Sequence, residues 1–329
     1  MMWGIGLLLL CFKIYALLGL ILLLSAYLIL AERKLLGRLQ IRLGPNRAGV
    51  FGILQPVADG LKMLFKEDTV PERADRAVFL LAPVVTSLTA LLTFAVVPFG
   101  EGITLWGREV PLVIADLNVG LLFVLALSSL GVYGVALGGW ASNSKYSLLG
   151  AVRGGAQLIS YELPLALSLV PVIMLSGSLN LTDIVGAQSG RPFVLVQPVG
   201  FLIFLVCAMA ESKRLPFDLP EAENELLAGY HTEYSGMRFA LFFLGEYAHM
   251  IALGALVAVF YLGGWHGPLL PPFVWLLAKA MLVPLFLIWT RASLPRLRYD
   301  QLMRVCWKVL LPAAALNIVA TGAIMVLTG

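Results

Sequence analysis

The sequence predicts an all-α integral membrane protein, a bundle of eight transmembrane helices with an interfacial amphipathic helix in the first inner loop. Three observations carry this. The chain is 60% apolar and 13% charged, with a mean hydropathy of +0.91; soluble domains carry roughly 25% charged residues. Its apolar runs suit helices that cross a hydrocarbon core, which takes about 20 residues each. Alternation of period two, the mark of a barrel strand, is absent.

The predicted spans cover about 4–31, 77–99, 114–139, 153–176, 193–212, 238–262, 272–290 and 308–328. No linker or shift in composition divides them, so residues 1–329 are read as a single multi-pass membrane domain. The run 4–31 is too long for a signal-peptide core and lacks a small-residue cleavage pattern, so it is expected to stay as the first span. Internal repeats of transporter type are not evident.

Basic residues orient the spans. The loop after span one holds Arg33, Lys34, Arg38, Arg42, Arg47, Lys62, Lys66, Arg73 and Arg76. The third loop with its junction holds Lys145 and Arg153, the fifth Lys213, Arg214 and Arg238, and the seventh segment Arg291, Arg296, Arg298, Arg304 and Lys308. These are 19 of the 23 Lys and Arg residues. The opposite loops hold only Arg108 and Arg191, while Lys13 and Lys279 fall within spans. This puts the odd-numbered loops inside and both termini outside.

The first inner loop has structure of its own. Leu54, Val57, Ala58, Leu61, Leu64 and Phe65 recur with helical period. Pro56 suits a first turn, and Asp59, Lys62 and Lys66 fall toward the other side. An interfacial helix fits this pattern; a short solvated connector is the plainer alternative.

The stretch from Glu211 to Arg238 is the most acidic of this apolar chain. It holds Glu211, Asp218, Glu221, Glu223, Glu225 and Glu233, with Lys213, Arg214, His231 and Arg238 among them. Glu162 and Glu246 lie within predicted spans. A charge at mid-bilayer costs about 3 kcal/mol on insertion scales. Such an acid faces the protein interior, pairs, or takes a proton. Burial and like-charged neighbours both favour the neutral acid, which is what a proton relay requires. An ion pair with Lys13 or Lys279 is the structural alternative. Asp218-Leu-Pro-Glu221 reads as a capping box that starts a helix. Glu221 and Glu225, four apart, would then repel on one face of it, with Glu223 pointing elsewhere. That repulsion implies a protonated member, a facing cation or a water channel.

Glu32, Arg33 and Lys34 close the first span, followed by Gln40, Arg42 and a turn at Gly44-Pro45-Asn46. Headgroup anchoring is the commonest role for such arginines, and the segment Arg291 to Lys308 carries the same ambiguity. Cys11, Cys207 and Cys306 are far apart with no CxxC or Cys/His spacing, so neither zinc nor an iron–sulfur cluster is expected on this chain. There is no phosphate-binding or dinucleotide fingerprint. His231, His249 and His266 share no spacing, and no metal is assigned to them. Any redox cofactor is expected in a partner.

Seven motifs occur in order: Ala31-Glu-Arg-Lys34, Arg42-Leu-Gly-Pro-Asn-Arg47, Leu54-Gln-Pro-Val-Ala-Asp-Gly60, Gln157-Leu-Ile-Ser-Tyr-Glu162, Pro216-Phe-Asp-Leu-Pro-Glu-Ala-Glu223, Gly229-Tyr-His-Thr-Glu-Tyr-Ser-Gly-Met237 and Arg298-Tyr-Asp-Gln-Leu-Met303, with Trp307-Lys308 after them. Each is modest alone; the ordered set closely resembles the H-type subunits of NADH-quinone oxidoreductase, the family of subunit 1 of respiratory complex I. The resemblance covers almost the whole chain. Gly154-Gly155 departs slightly from the family pattern, without touching a charged position.

The resemblance implies an eight-span component at the heel of the membrane arm. It implies a tunnel by which quinone, ubiquinone or menaquinone, leaves the membrane toward the last iron–sulfur cluster. By position, Glu162, Glu211, Asp218, Glu221, Glu223, Glu225 and Glu246 match the family's acidic proton path. Glu32, Arg33, Arg42, Asp59 and Lys62 match the tunnel mouth and its flank. Quinone is then a substrate, while flavin, NADH, clusters and quinone headgroup ligands resemble features of other subunits. The implied partners are hydrophilic-arm subunits carrying the last cluster, other membrane-arm subunits including antiporter-like ones, and lipid, with no nucleic acid. The implied location is a bacterial inner membrane, with both termini on the periplasmic side. A membrane anchor of an energy-converting hydrogenase and a stand-alone proton transporter are the rival readings. The long basic first loop and the Arg298 to Met303 motif favour the quinone reading, and the charged inner loops suit a docking face.

Overall fold

In hydrocarbon a backbone must satisfy its own hydrogen bonds, and apolar runs answer that demand as helices. A computed structural model describes residues 2–105, 108–221 and 223–328, with side chains at 6–102, 110–221 and 225–327. Helix α1 (Met2–Leu39) is followed by α2 (Gln55–Phe65), α3 (Arg76–Thr93), α4 (Gly120–Ala141), α5 (Lys145–Ser176) and α6 (Leu181–Gly186). Then come α7 (Phe193–Val196), α8 (Pro198–Glu211), α9 (Glu223–Leu226), α10 (Gly236–Tyr261), α11 (Pro272–Ser293), α12 (Tyr299–Val305) and α13 (Leu311–Thr328). A π-helical turn at Cys306–Leu310 joins the last two into one rod.

Seven helical stretches among the described residues are long and apolar enough to cross a membrane, so the chain is a multi-pass membrane protein. The fifth expected span differs from the others. It is broken at Gln197, leaving α8 with 14 residues, about 21 Å at 1.5 Å per residue, short of a core about 30 Å thick. Pro198 explains the break: it lacks an N–H and pushes the preceding residue out of helical geometry, and Gln197 sits at φ −125°, ψ 55°. The fold is all-α as expected, with one short antiparallel hairpin, Ile103–Leu105 and Arg108–Val110, between α3 and α4.

Helix α1 runs through Glu32, Arg33 and Lys34 to Leu39 instead of ending before them. Helix α2 forms where its periodicity predicted, with Pro56 in the first turn and no buried residue. Val57, Leu61, Leu64 and Phe65 are exposed. The expected capping box does not start a helix. Helix α9 begins at Glu223, and Glu221 lies in the turn before it, so Glu221 and Glu225 do not share a helical face.

Helix α10 is the axis of the bundle, packed by α3, α11 and α1. Its best apolar window is 83% buried, against 6% for α1. Small residues let neighbours approach closely: a Cβ on Gly254 would stand 2.0 Å from the Ala280 carbonyl oxygen. Helix α5 pins the C-terminal end of α8. Gln157 Nε2 donates to Ala210 O at 2.6 Å and to Phe217 O at 2.8 Å, fixing the end of α8 and the loop beyond it.

Candidate functional site

Two groups of acids meet at the N-terminal half of α10. Glu246 and His249 lie three residues apart on that helix and share a face. Helix α8 ends at Glu211, and Lys213 then adopts a left-handed backbone, φ 55°. For a residue with a Cβ that conformation is uncommon, and here it belongs to the reversal that follows α8.

The first group is an alternating series of charges. Lys213 Nζ donates to Glu246 Oε1 at 3.2 Å. Arg214 Nη2 is 4.0 Å from Glu246 Oε2, and its Nη1 donates to Glu32 Oε1 at 3.3 Å. Arg291, from the last turn of α11, donates to the same Glu32 oxygen. Tyr247 OH donates to Glu32 Oε2 at 2.7 Å, and Tyr230 OH to Glu246 Oε1 at 2.8 Å. The Arg214 guanidinium lies 4.6 Å from the Tyr247 ring centroid. Two buried carboxylates thus face three cations and two phenols. An unpaired buried charge costs several kcal/mol, and this arrangement removes that cost by mutual compensation. Gly229 helps to build it. At φ 61°, a Cβ there would stand 1.8 Å from Pro220 O, so only glycine lets this turn deliver Tyr230.

The second group has no such cations. Glu211 accepts a hydrogen bond from Ser128 on α4, and His249 Nε2 is 3.6 Å from Glu211 Oε1. Glu162 Oε2 accepts from Ser129 Oγ at 3.0 Å, while its Oε1 is buried without a hydrogen-bond partner. Among the described residues, neither acid forms an ion pair with Lys or Arg.

A cavity of about 40 Å³ joins the groups, its polar wall made by Thr86, Thr89, Thr93, Ser128, Glu211, Lys213, Glu246 and His249. One water needs roughly 10–15 Å³ on this measure, so the space takes more than one. A second cavity of about 20 Å³ shares Thr93, Ser128, Glu211 and His249 and continues between Leu253, Leu256, Phe204 and Phe260.

The loop acids lie to one side. Asp218 Oδ2 accepts from Arg296 Nη2 at 2.9 Å. Burial raises the Asp218 carboxyl above its ordinary value, and Arg296 opposes the rise. Glu221 is part-buried. Burial, then the charge of Glu246, holds its carboxyl well above the usual range, against the pull of Arg214. Glu225 pairs with Arg153 at 2.7 Å in an exposed contact. The side chain of Glu223 lies outside the described residues.

The five positions matched to a tunnel divide. Glu32 belongs to the buried series above. Arg33 pairs with Asp59 at 2.7 Å, both partly exposed; Asp59 also accepts from Gln55 at 2.9 Å. Arg42 is exposed and donates to Gln40 at 2.7 Å, and Lys62 is exposed on α2.

Lys279 and Lys13 do not pair with the acids. Lys279 Nζ donates to the carbonyls of Leu262, Gly264 and His266, and Lys13 to that of Pro111. The cations that compensate the acids are Lys213, Arg214 and Arg291, which periodicity did not mark as buried. Tyr230, Tyr247, Ser128 and His249 were also missed. The Ser128-Ser129 pair inside an apolar run was the one signal available. Among the described residues no three His, Cys, Asp or Glu side chains converge as a metal site.

A family model described as NADH dehydrogenase matches residues 12–322. In Syntrophobacter fumaroxidans, the H-type component numbered 2 of NADH-quinone oxidoreductase is 67% identical over 321 residues, covering 98% of this chain and 97% of its own length. In Geobacter metallireducens, the H-type component numbered 1 of NADH-quinone oxidoreductase is 62% identical over 315 residues, with 96% of each chain covered. The H-type component of NADH-quinone oxidoreductase from Syntrophotalea carbinolica is 58% identical over 323 residues, with 98% of each covered.

Proposed function

The chain belongs to the NADH dehydrogenase family, and from that premise we propose how it serves as a membrane subunit of an NADH-quinone oxidoreductase. Its part is to line the route of quinone and to link quinone reduction to proton movement through its buried acids. Flavin, clusters and the headgroup site belong to hydrophilic-arm partners, and antiporter-like subunits adjoin it in the membrane. Eight spans result when α7 and α8 together serve as the fifth. The excess of basic residues in alternate loops supports an inner-membrane orientation with periplasmic termini.

The quinone route runs past the inner end of α1 and α2. Exposed Val57, Leu61, Leu64 and Phe65 suit an interfacial position and an isoprenoid tail, whose burial is non-directional. Arg33, Arg42, Asp59 and Lys62 supply the polar flank, and Glu32 marks where this flank meets the interior.

Reduction of a quinone to a quinol consumes two electrons and two protons. Charge that appears near the inner loop acts on neighbouring acids by direct electrostatics, strongest where water is excluded. Asp218, Glu221, Glu223 and Glu225 are acids of the stretch between α8 and α10. The Arg214–Glu246–Lys213 series transmits the change as fixed charge; Glu211, on the cavity wall, responds by taking or releasing a proton, and Glu162 responds to the charge of Glu211.

The observation that carries this reading is a polar cavity lined both by the Lys213–Glu246 pair and by Glu211, an acid with no Lys or Arg partner among the described residues. The test is Glu162→Gln in the assembled complex, reconstituted in vesicles, with proton translocation and quinone reduction measured together. Assembly is expected to be intact and translocation per quinone to fall; full coupling in this variant removes the relay.

A further inference from the structure

We propose that His249 is a proton-carrying member of this relay, exchanging protons with Glu211 across the junction of the two cavities; the inference rests on the relay reading above. Four residues line both cavities: Thr93, Ser128, Glu211 and His249. Of these only Glu211 and His249 can change charge, since the hydroxyls of the other two cannot ionise in the working range.

The separation of His249 Nε2 from Glu211 Oε1 is 3.6 Å. That is beyond a hydrogen bond, whose usual limit is about 3.2 Å, and within reach of a small rotation or one bridging water. A contact of this length can be made and broken during turnover. The ring keeps 23% of its side chain accessible.

The groups around the imidazole come from every neighbouring element. Helix α8 contributes Glu211, and the turn after it Lys213. Helix α10 itself contributes Glu246. Helix α3 contributes Thr86, Thr89 and Thr93, and α4 Ser128. Glu162 on α5 acts on it through its charge. Lys213 is engaged by Glu246, which leaves Glu211 as the acid that His249 pairs with.

The chemistry suits the geometry. A neutral imidazole accepts a proton at one ring nitrogen and carries a donor at the other. When Glu211 passes its proton to Nε2, an O–H bond breaks, an N–H bond forms, and a carboxylate–imidazolium pair results. Loss of a proton from the ring to cavity water restores the neutral imidazole. The reverse order runs the proton the other way, and no other bond changes.

The experiment uses the intact complex in vesicles, with the rate of proton translocation and the protons translocated per quinone reduced both read across pH values from about 6 to 8. His249→Gln is expected to lower the translocation rate roughly tenfold or more, in keeping with loss of a positioned acid–base group, and to change the pH profile of translocation. His249→Ala is expected to recover part of the rate when imidazole is added, and Glu162→Gln is not. His249→Asn repeats the test if the glutamine variant fails to assemble. Wild-type coupling in His249→Gln beside loss of coupling in Glu162→Gln removes His249 and leaves the relay standing. Full coupling in Glu162→Gln removes the relay itself. Loss of translocation in His249→Ala without rescue by imidazole reduces His249 to a packing residue and overturns the proposal.

Discussion

Glu246 and Glu211 line one cavity, and their surroundings are built on opposite principles. Glu246 sits with Lys213, Arg214 and Tyr230, and Glu32 beyond it with Arg214, Arg291 and Tyr247. Glu211 has a serine hydroxyl and an imidazole, and Glu162 serine hydroxyls, with no Lys or Arg paired to either among the described residues. A carboxylate held between cations keeps its charge because every partner would be left uncompensated without it. A carboxyl among hydroxyls leaves no buried cation stranded when it gains a proton. The difference teaches that acids in one membrane bundle are not one functional class. On the proposed relay, those in the compensated series act as fixed charge that transmits a field, and Glu211 and Glu162 act as exchangeable proton sites.

The largest expected effect breaks the compensated side. Arg214→Ala strips a cation from both Glu32 and Glu246, and cutting a buried pair in this way costs about 3–5 kcal/mol. A sharply reduced yield of assembled complex and a lowered thermal midpoint are expected. Glu211→Gln keeps an acceptor for Ser128 and is expected to cost no more than about 1 kcal/mol while losing translocation. Equal losses of stability in the two variants would void the contrast.

The comparison is sharpened by a double-mutant cycle on Lys213→Met and Glu246→Gln. Coupling of about 0.5–3 kcal/mol is expected for directly paired groups, read from unfolding midpoints. The same cycle on Ser128→Ala and Glu211→Gln is expected to give the smaller value.

A pH effect follows at Glu221. Burial, then Glu246, raises its carboxyl well above the ordinary 4.5. The folded chain therefore holds a proton there that the unfolded chain has released. Stability falls as pH rises from 4.5 toward the raised folded value, because the unfolded state binds fewer protons in that window. Glu221→Gln is expected to flatten that fall, measured as the thermal midpoint of the detergent-solubilised complex against pH.

The smallest effect is expected at the first loop. Arg33 and Asp59 keep 48% and 32% of their side chains exposed, and such pairs contribute under about 1 kcal/mol. Arg33→Ala is expected to leave the thermal midpoint nearly unchanged. A large loss there would show that the loop pair belongs with the compensated interior.

Much of the architecture was legible from hydropathy because lipid forces apolar runs into helices. The broken fifth span was less legible. Gln197-Pro198 lies inside a run whose composition reads as continuous, and the break depends on one missing N–H. The site was legible by residue type more than by role. Glu162, Glu211 and Glu246 stand out in apolar surroundings, and they do converge. Asp218 read as a helix cap and instead holds Arg296. Glu32 read as the end of a span and instead lies at the heart of the charge series, because α1 continues past it.

The sequence by itself determined that this chain crosses a membrane repeatedly, that acids concentrate at one boundary, and which motif order it shares with its relatives. Composition and order are local properties, and the bilayer acts on them locally. Only the tertiary structure decided which cation answers which acid. Glu32 meets Arg214 and Arg291 across 182 and 259 residues of chain, and pairing at such separations is set by how helices pack around α10. The Coulomb energy that separates a fixed charge from an exchangeable proton depends on those few ångströms.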